Sequence, residues 1–272
     1  MRLNQIVENF YRVEKVRTGK WFFKYLSLKN QERERDGVVA YSYIRWLDDL
    51  VDSGLNPDIA SSTLDHEERI MKGIAQGERS ETESYQFLAQ LYQRYGNRIF
   101  DLFQKFIEAF RADNQIIVTG KPLDEKSLTQ RTLGHTLPCF QVVSLIAFGR
   151  ELEFDEEFKK LMLTWSNYDS LIDIREDLSA GLILFSQEEL DRHGIHIHQG
   201  SPLPPSFRNM YNSLKTRTIR DLVIYSSSVE RTNIPTIERL ALHGYFLSRP
   251  IKLAASQYPL TEPEFIVKPS HL

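Results

Sequence analysis

The sequence predicts an all-α fold in a single domain covering residues 1–272. Three observations carry that expectation. Apolar residues recur at three- and four-residue steps through most of the chain. Strand-like alternation bounded by turn residues is scarce, and glycine and proline fall mainly between the periodic segments rather than inside them. At 272 residues, with 41% hydrophobic and 26% charged side chains, the chain has an ordinary globular composition and enough length to bury a substantial core.

Taken in order, residues 1–17 contain no uninterrupted apolar core of signal-peptide length, and no run of about 18 apolar residues follows, so neither secretion by that route nor a membrane span is expected. Val38, Val39, Ile44, Leu47, Leu50 and Val51 give the first clear helix, which Gly54 and Pro57 close. Ile99, Leu102, Phe103, Phe106 and Phe110 form a second stripe, ended by Gly120 and Pro122. Leu161, Leu163, Trp165, Tyr168, Leu171 and Ile172 mark a broader apolar segment that runs on to a helix stop at Ser179-Ala180-Gly181. Gly194 and the prolines of HIHQGSPLPPS, residues 196–206, block helix formation and predict a long surface loop. Pro235 marks one more break.

A net charge of −3 argues against a general nucleic-acid binder. The single cysteine, Cys139, excludes an intrachain disulfide framework and a cysteine-rich zinc site, and fits a reducing compartment such as the cytoplasm. With no visible motif partner it reads as a buried, inert thiol. His135 and the histidines of the 193–198 run read as ordinary side chains rather than metal ligands.

The chemistry lies in two aspartate pairs of identical spacing, Asp48/Asp52 and Asp173/Asp177, about half the chain apart on segments that both read as apolar helices. A four-residue step advances a helix by about one turn, so each pair projects its carboxylates from one face. Tyr41, Arg45, Asp48 and Asp52 share one stripe, and Asp169, Asp173 and Asp177 share another. A lone Asp-x-x-x-Asp is usually a solvated acidic face, here with a local Arg45/Asp49 ion pair. Two such stripes flanked by apolar residues demand cations, because stacked acids repel one another and inward-facing charges need partners. Carboxylate-rich sites suit Mg²⁺, with Mn²⁺ as the alternative, and Mg²⁺ commonly shares its coordination with substrate phosphates. Diphosphate ionisation to an allylic cation follows as the expected chemistry. Phe22, Phe140, Trp165, Tyr245 and Phe246 are candidates for the dry aromatic lining such a cation needs.

Three stretches resemble the squalene/phytoene synthase family, all-α enzymes that join two prenyl diphosphates head to head. YSYIRWLDDLVD is similar to the family's first aspartate-rich motif, with Tyr41, Arg45, Asp48 and Asp52 at its marked positions. The segment from Asp169 through Leu190 is similar to the second motif and its tail, matched by Asp173, Asp177, Gly181 and Gln187-Glu188-Glu189-Leu190. TGKWFFKYL resembles an early diphosphate-contacting segment, with Lys20 and Phe22 matching.

The resemblance implies a terpene synthase-like helical bundle around a central cavity. It also implies metal binding by Asp48, Asp52, Asp173 and Asp177 with Asp49 and Asp169 assisting, and diphosphate binding by Lys20, Tyr41 and Arg45. Farnesyl or geranylgeranyl diphosphate is the implied substrate, and peripheral membrane contact is compatible with such greasy partners.

Departures from the family pattern fall on substrate-handling positions. Gly19 stands where serine is usual, Asp169 where asparagine is usual, and Ile172 where an arginine precedes the metal-binding aspartate. HTLPCFQ, residues 135–141, stands near the family's Val-Ala-Gly-x-Val-Gly run, so Leu137 and Phe140 should reshape the cavity. The expected reaction is head-to-head condensation. Prenyl transfer to another acceptor and cyclisation of one substrate are alternatives, as is a non-catalytic assembly or binding factor on the same fold.

Overall fold

The computed structural model describes residues 30–52, 56–78, 83–197 and 200–260. Their regular structure is helical: α1 (Gln31–Asp52), α2 (Pro57–Ala75), α3 (Glu83–Tyr95), α4 (Asn97–Thr119), α5 (Glu125–Phe148), α6 (Glu156–Ile172), α7 (Ile174–Ser179), α8 (Gln187–Arg192), α9 (Ser206–Tyr225), a 3₁₀ turn (Ser226–Arg231) and α10 (Thr236–Ala255). No helix among the described residues is long and apolar enough to cross a membrane.

The helices begin and end where local chemistry dictates. Asn56 caps α2 by accepting from the Asp58 amide at 2.9 Å, and Pro57 occupies the first turn, where its missing N–H costs nothing. Asp124 caps α5 through the Ser127 amide at 2.7 Å, and Asp155 caps α6 through the Phe158 amide at 2.7 Å. Gly120 ends α4 at φ +61°, a left-handed conformation that would strain a residue with a Cβ.

Two helices organise the interior. Helix α4 packs against α1, α2, α3 and α5, while α6 packs against α5, α9 and α10, so α5 joins the two halves. The predicted stripe Ile99, Leu102, Phe103, Phe106, Phe110 is buried throughout, and Val38, Val39, Leu47 and Val51 bury the inner face of α1 as expected. Tyr43 of α1 meets Phe103 of α4 at 5.0 Å between ring centroids. Its hydroxyl donates to Glu67 of α2 at 3.1 Å, and Tyr85 of α3 donates to the same carboxylate at 2.8 Å. Burial pushes the Glu67 carboxyl up and the two phenols pull it back, so this polar group inside the core is satisfied rather than orphaned.

Helix α5 carries Pro138 in its interior. A proline there removes one helical N–H donor and presses on the preceding turn. Side chains bond nearby carbonyls around it: Thr136 donates to Thr132 at 2.9 Å and Cys139 to His135 at 3.3 Å. Gly134 lies one turn before the proline, and a Cβ there would come 3.9 Å from the Lys105 carbonyl of α4. The HTLPCFQ segment is therefore part of a helix that runs unbroken through Pro138 and lies close to α4, which composition alone did not reveal. The expected surface loop at 196–206 falls between α8 and α9, and its prolines give way to helix at Ser206.

Candidate functional site

The apolar flanks of α1 fix which way its acids point. Burial of Val38, Leu47 and Val51 leaves Asp48 partly buried at the edge of the core, while Asp49 turns to solvent. Arg45 serves both, at 2.8 Å from Asp48 and 2.9 Å from Asp49. Asp49 thus sits in an exposed ion pair rather than on the inward face expected of an assisting metal ligand. Tyr41, one turn before Arg45, packs partly buried against the core. The Asp52 side chain lies outside the described residues, as do Lys20 and Phe22.

On the opposite wall, the second acidic stripe is not one continuous helix. Helix α6 ends at Ile172 and α7 begins at Ile174, with Asp173 between them at φ −96°, ψ 8°. The four-residue ladder nevertheless continues: the Asp173 amide donates to the Asp169 carbonyl and the Asp177 amide to the Asp173 carbonyl, each at 2.9 Å. The carboxylates therefore remain roughly in line across a bend. The predicted stop is present: Leu182 donates back to the Asp177 carbonyl at 2.8 Å, and Gly181 takes φ +82°.

The fold brings the two stripes into one electrostatic neighbourhood. Arg45 of α1 acts on Asp173, and Cys139 of α5 feels both Asp48 and Asp169. Burial, followed by Asp113 and Asp49, pushes the Asp48 carboxyl up to about 6 against the opposing pull of Arg45 and Arg131. Burial, followed by Asp173, pushes Asp169 up to about 7, with Arg249 opposing. Asp173 is raised by burial and by Glu176. All three carboxyls are displaced upward chiefly because burial disfavours their charged forms, with neighbouring acids adding to the effect and arginines opposing it.

Two residues without a sequence motif complete the site. Arg131 of α5 donates from Nε and Nη2 to both oxygens of Asp113 of α4, each bond 2.6 Å, in a pair that is almost fully buried. Its guanidinium also acts on Asp48 and Asp177, so it carries one fixed charge towards both stripes. Asp113 could have been found from its place on the Phe106/Phe110 stripe, where a charge has no business unless it is paired. Arg131 offered no comparable signal. His135 is edge-on to Phe106 and Phe110 at 5.7 and 5.6 Å, and burial holds its pKa down at about 3, so it stays neutral. Burial pushes the Cys139 thiol up to about 12, which keeps it protonated and unreactive.

The aromatic candidates also assemble. Phe140 of α5 lies edge-to-face with Trp165 of α6 at 5.9 Å, and Trp165 contacts Phe246 and Tyr245 of α10 at 6.2 and 6.4 Å. Leu137 packs against the core, and Tyr245 remains 38% exposed. A separate cavity of about 270 Å³ lies behind α5 and α6, bounded by α8 and α9. Its walls include Arg131 but not the acids of either stripe.

The donor chemistry suits a hard divalent cation, since ionised carboxylates offer oxygen acceptors of the kind such a cation takes. Among the described residues no group of three or more His, Cys, Asp or Glu is gathered into a ready-made cage. A cation here would draw further ligands from water and diphosphate oxygens.

Restoring the amide with Asp169→Asn should stabilise the metal-free protein by on the order of 2 kcal/mol at pH 8, after discounting for partial exposure, and raise its Tm by roughly 4–8 °C. The folded carboxyl titrates near 7 and an unfolded aspartate near about 3.9, so the cost of ionising Asp169 builds up between those values and is complete above the higher one. The gain should therefore disappear as pH falls towards about 4. Equal melting of the two proteins at pH 8 would contradict this account.

Residues 16–133 match the sequence model of the family described as squalene/phytoene synthase. That stretch includes Arg45, Asp48, Asp113 and Arg131 and ends before the second acidic stripe. Curated protein sequences give no match. Among solved structures, a dehydrosqualene synthase in complex with ligand superposes with a TM-score of 0.68 at 14% identity, covering 96% of this chain and 89% of that one. At that identity the likeness is one of fold.

Proposed function

We propose that this chain, whose residues 16–133 match the squalene/phytoene synthase family model and whose fold is shared over 96% of its length with a dehydrosqualene synthase, is a prenyltransferase of that family that ionises an allylic prenyl diphosphate in a Mg²⁺-dependent reaction and couples two such substrates head to head. The observation that carries this reading is the shared electrostatic neighbourhood of the two stripes, in which Arg45 pairs with Asp48 and acts on Asp173.

Asp48, Asp52, Asp173 and Asp177 would hold the metal with Asp169 assisting, and the metal when bound neutralises the charge developing on the departing diphosphate as the allylic carbon–oxygen bond breaks. Arg45, half-exposed and already bridging two carboxylates, is placed to receive diphosphate oxygens in a charge-assisted fork. Tyr41, one helical turn away, would add a hydroxyl donor. The faces of Phe140, Trp165 and Phe246 would stabilise the resulting cation and keep water from capturing it. A second prenyl diphosphate would then donate its alkene electrons to that carbon, and loss of its own diphosphate and of two protons in all would leave a neutral hydrocarbon of doubled carbon number without a reductant.

Ile172, an apolar side chain 38% exposed at the end of α6, favours a second reading, transfer to another acceptor or cyclisation, because it supplies no charge for a second diphosphate. Products discriminate these. Purified protein is incubated with Mg²⁺ and farnesyl or geranylgeranyl diphosphate in turn, and diphosphate release and extracted products are followed by mass spectrometry. A hydrocarbon of doubled carbon number is the expected result. A single-prenyl alcohol or cyclic product would move the function to the second reading, and no release with either substrate would leave a non-catalytic binding role.

A further inference from the structure

Helix α6 presents Trp165 and Asp169 at successive turns and ends at Ile172, with Asp173 just beyond it. Against this helix, α10 delivers Arg249. Its guanidinium carbon lies 3.7 Å from the Tyr245 ring centroid and 5.6 Å from that of Tyr168, so the group is stacked between the two helices. Among the described residues it makes no ion pair, although its charge acts on Asp169. Its Nε–H is buried with no hydrogen-bond partner, and the same is true of the indole Nε1–H of Trp165. Two unsatisfied buried donors thus lie on α6 and α10, whose Trp165 and Tyr245 rings are in contact, and the Arg249 charge reaches Asp169, one turn before Ile172 at the end of α6.

Buried N–H groups without partners are rare because they forfeit hydration without compensation. An arginine held by ring stacking presents its donors in a fixed plane suited to two oxygens of one phosphate. Tyr245 and Tyr168 supply that stacking here. A ligand rich in acceptor oxygens would satisfy the Arg249 and Trp165 donors together.

We propose that Arg249 is a diphosphate-binding residue, supplying from α10 the positive charge that Ile172 does not provide at the end of α6. The inference rests on the prenyl-diphosphate reading above and adds to it the group that receives the anion on the second wall. It also explains how the wall can handle a diphosphate despite the isoleucine: the cation comes from a different helix. Arg249 then has to remain stacked on Tyr245, so the aromatic wall and the diphosphate site are built from the same helix α10.

The test is calorimetric titration of inorganic diphosphate with Mg²⁺ into the full-length wild type, Arg249→Met, Arg249→Lys and the double variant Arg249→Met/Ile172→Arg, with thermal melts of each. Loss of a charge-assisted contact should weaken binding by roughly tenfold to a hundredfold in Arg249→Met, with partial recovery by lysine. Placing the arginine on α6 in the double variant should restore most of that loss, which a purely structural role for Arg249 would not produce. Wild-type affinity in a folded Arg249→Met protein overturns the inference while leaving the prenyl-diphosphate reading standing. Absence of diphosphate binding by the wild type removes both. If Arg249→Met does not fold, Arg249→Lys carries the test: an affinity at least about threefold weaker supports the inference, and an unchanged one overturns it.

Discussion

Arg131→Met is expected to be the most destabilising single substitution at the site, lowering stability by about 3–5 kcal/mol and the melting temperature by roughly 10 °C. The reason is asymmetric dependence. Asp113 is buried in the C-terminal third of α4, and Arg131 is the charge that opposes its desolvation. Removing the guanidinium strands an anion in the core. Arg131, by contrast, also acts on Asp48 and Asp177, so Asp113→Asn leaves it other carboxylates to face and should cost less. The double variant Asp113→Asn/Arg131→Met should recover much of the single arginine loss, since the orphaned charge is gone. Melts of the two single variants and the double at pH 7 close the cycle. Additive losses would show that the pair is not coupled and that Arg131 stabilises by packing alone.

Asp48→Asn and Asp173→Asn are each expected to reduce diphosphate release by at least about a hundredfold, with the double variant little worse than either single one, because groups that act on one leaving group fail as a unit. The same substitutions should leave melting unchanged or raise it. Both carboxyls are displaced upward by burial, and Asp48 further by neighbouring acids, so ionised they oppose folding rather than support it. Lost turnover with preserved or improved melting is the signature of a group retained for chemistry at a cost to stability. Lost turnover accompanied by a large fall in Tm would instead place these aspartates in a structural role. Diphosphate release and thermal melts on one set of preparations decide it.

What could be read from the sequence followed from periodicity. The inner face of α1, the phenylalanine stripe of α4 and the stop at Gly181 were legible because burial repeats at helical spacing and glycine marks a left-handed terminus. The two acidic stripes were legible for the same reason, as charges in register on apolar helices. The bend at Asp173 was not, since its ladder bonds keep helical spacing and nothing in the local residues forces the break. Asp113 and Arg131 are separated in sequence and belong to no motif, and a buried ion pair looks in sequence like two surface charges. Arg249 shares a turn with Tyr245, but only the stacking distance shows that the two act together. The near-identity of Asp48 and Asp49 in sequence also hid their opposite fates, one edging the core and the other paired in solvent. Lys20 and Phe22 lie outside the described residues.

The α4–α5 hairpin has a consequence for the order in which the chain assembles. Its two helices are consecutive, joined by a short turn, and packed along much of their lengths, and the Asp113–Arg131 bonds span a separation of 18 residues. Closing so short a loop costs far less chain entropy than bringing in α1 or α6 from either side. The hairpin is therefore the natural nucleus, and its buried guanidinium is set before the aspartates of the outer helices arrive. Those acids then dock against a wall that already holds a cation, rather than collapsing on one another. In kinetic terms, substitutions along the Phe106–Phe110 face should slow folding, whereas changes in α1 or α7 should chiefly speed unfolding.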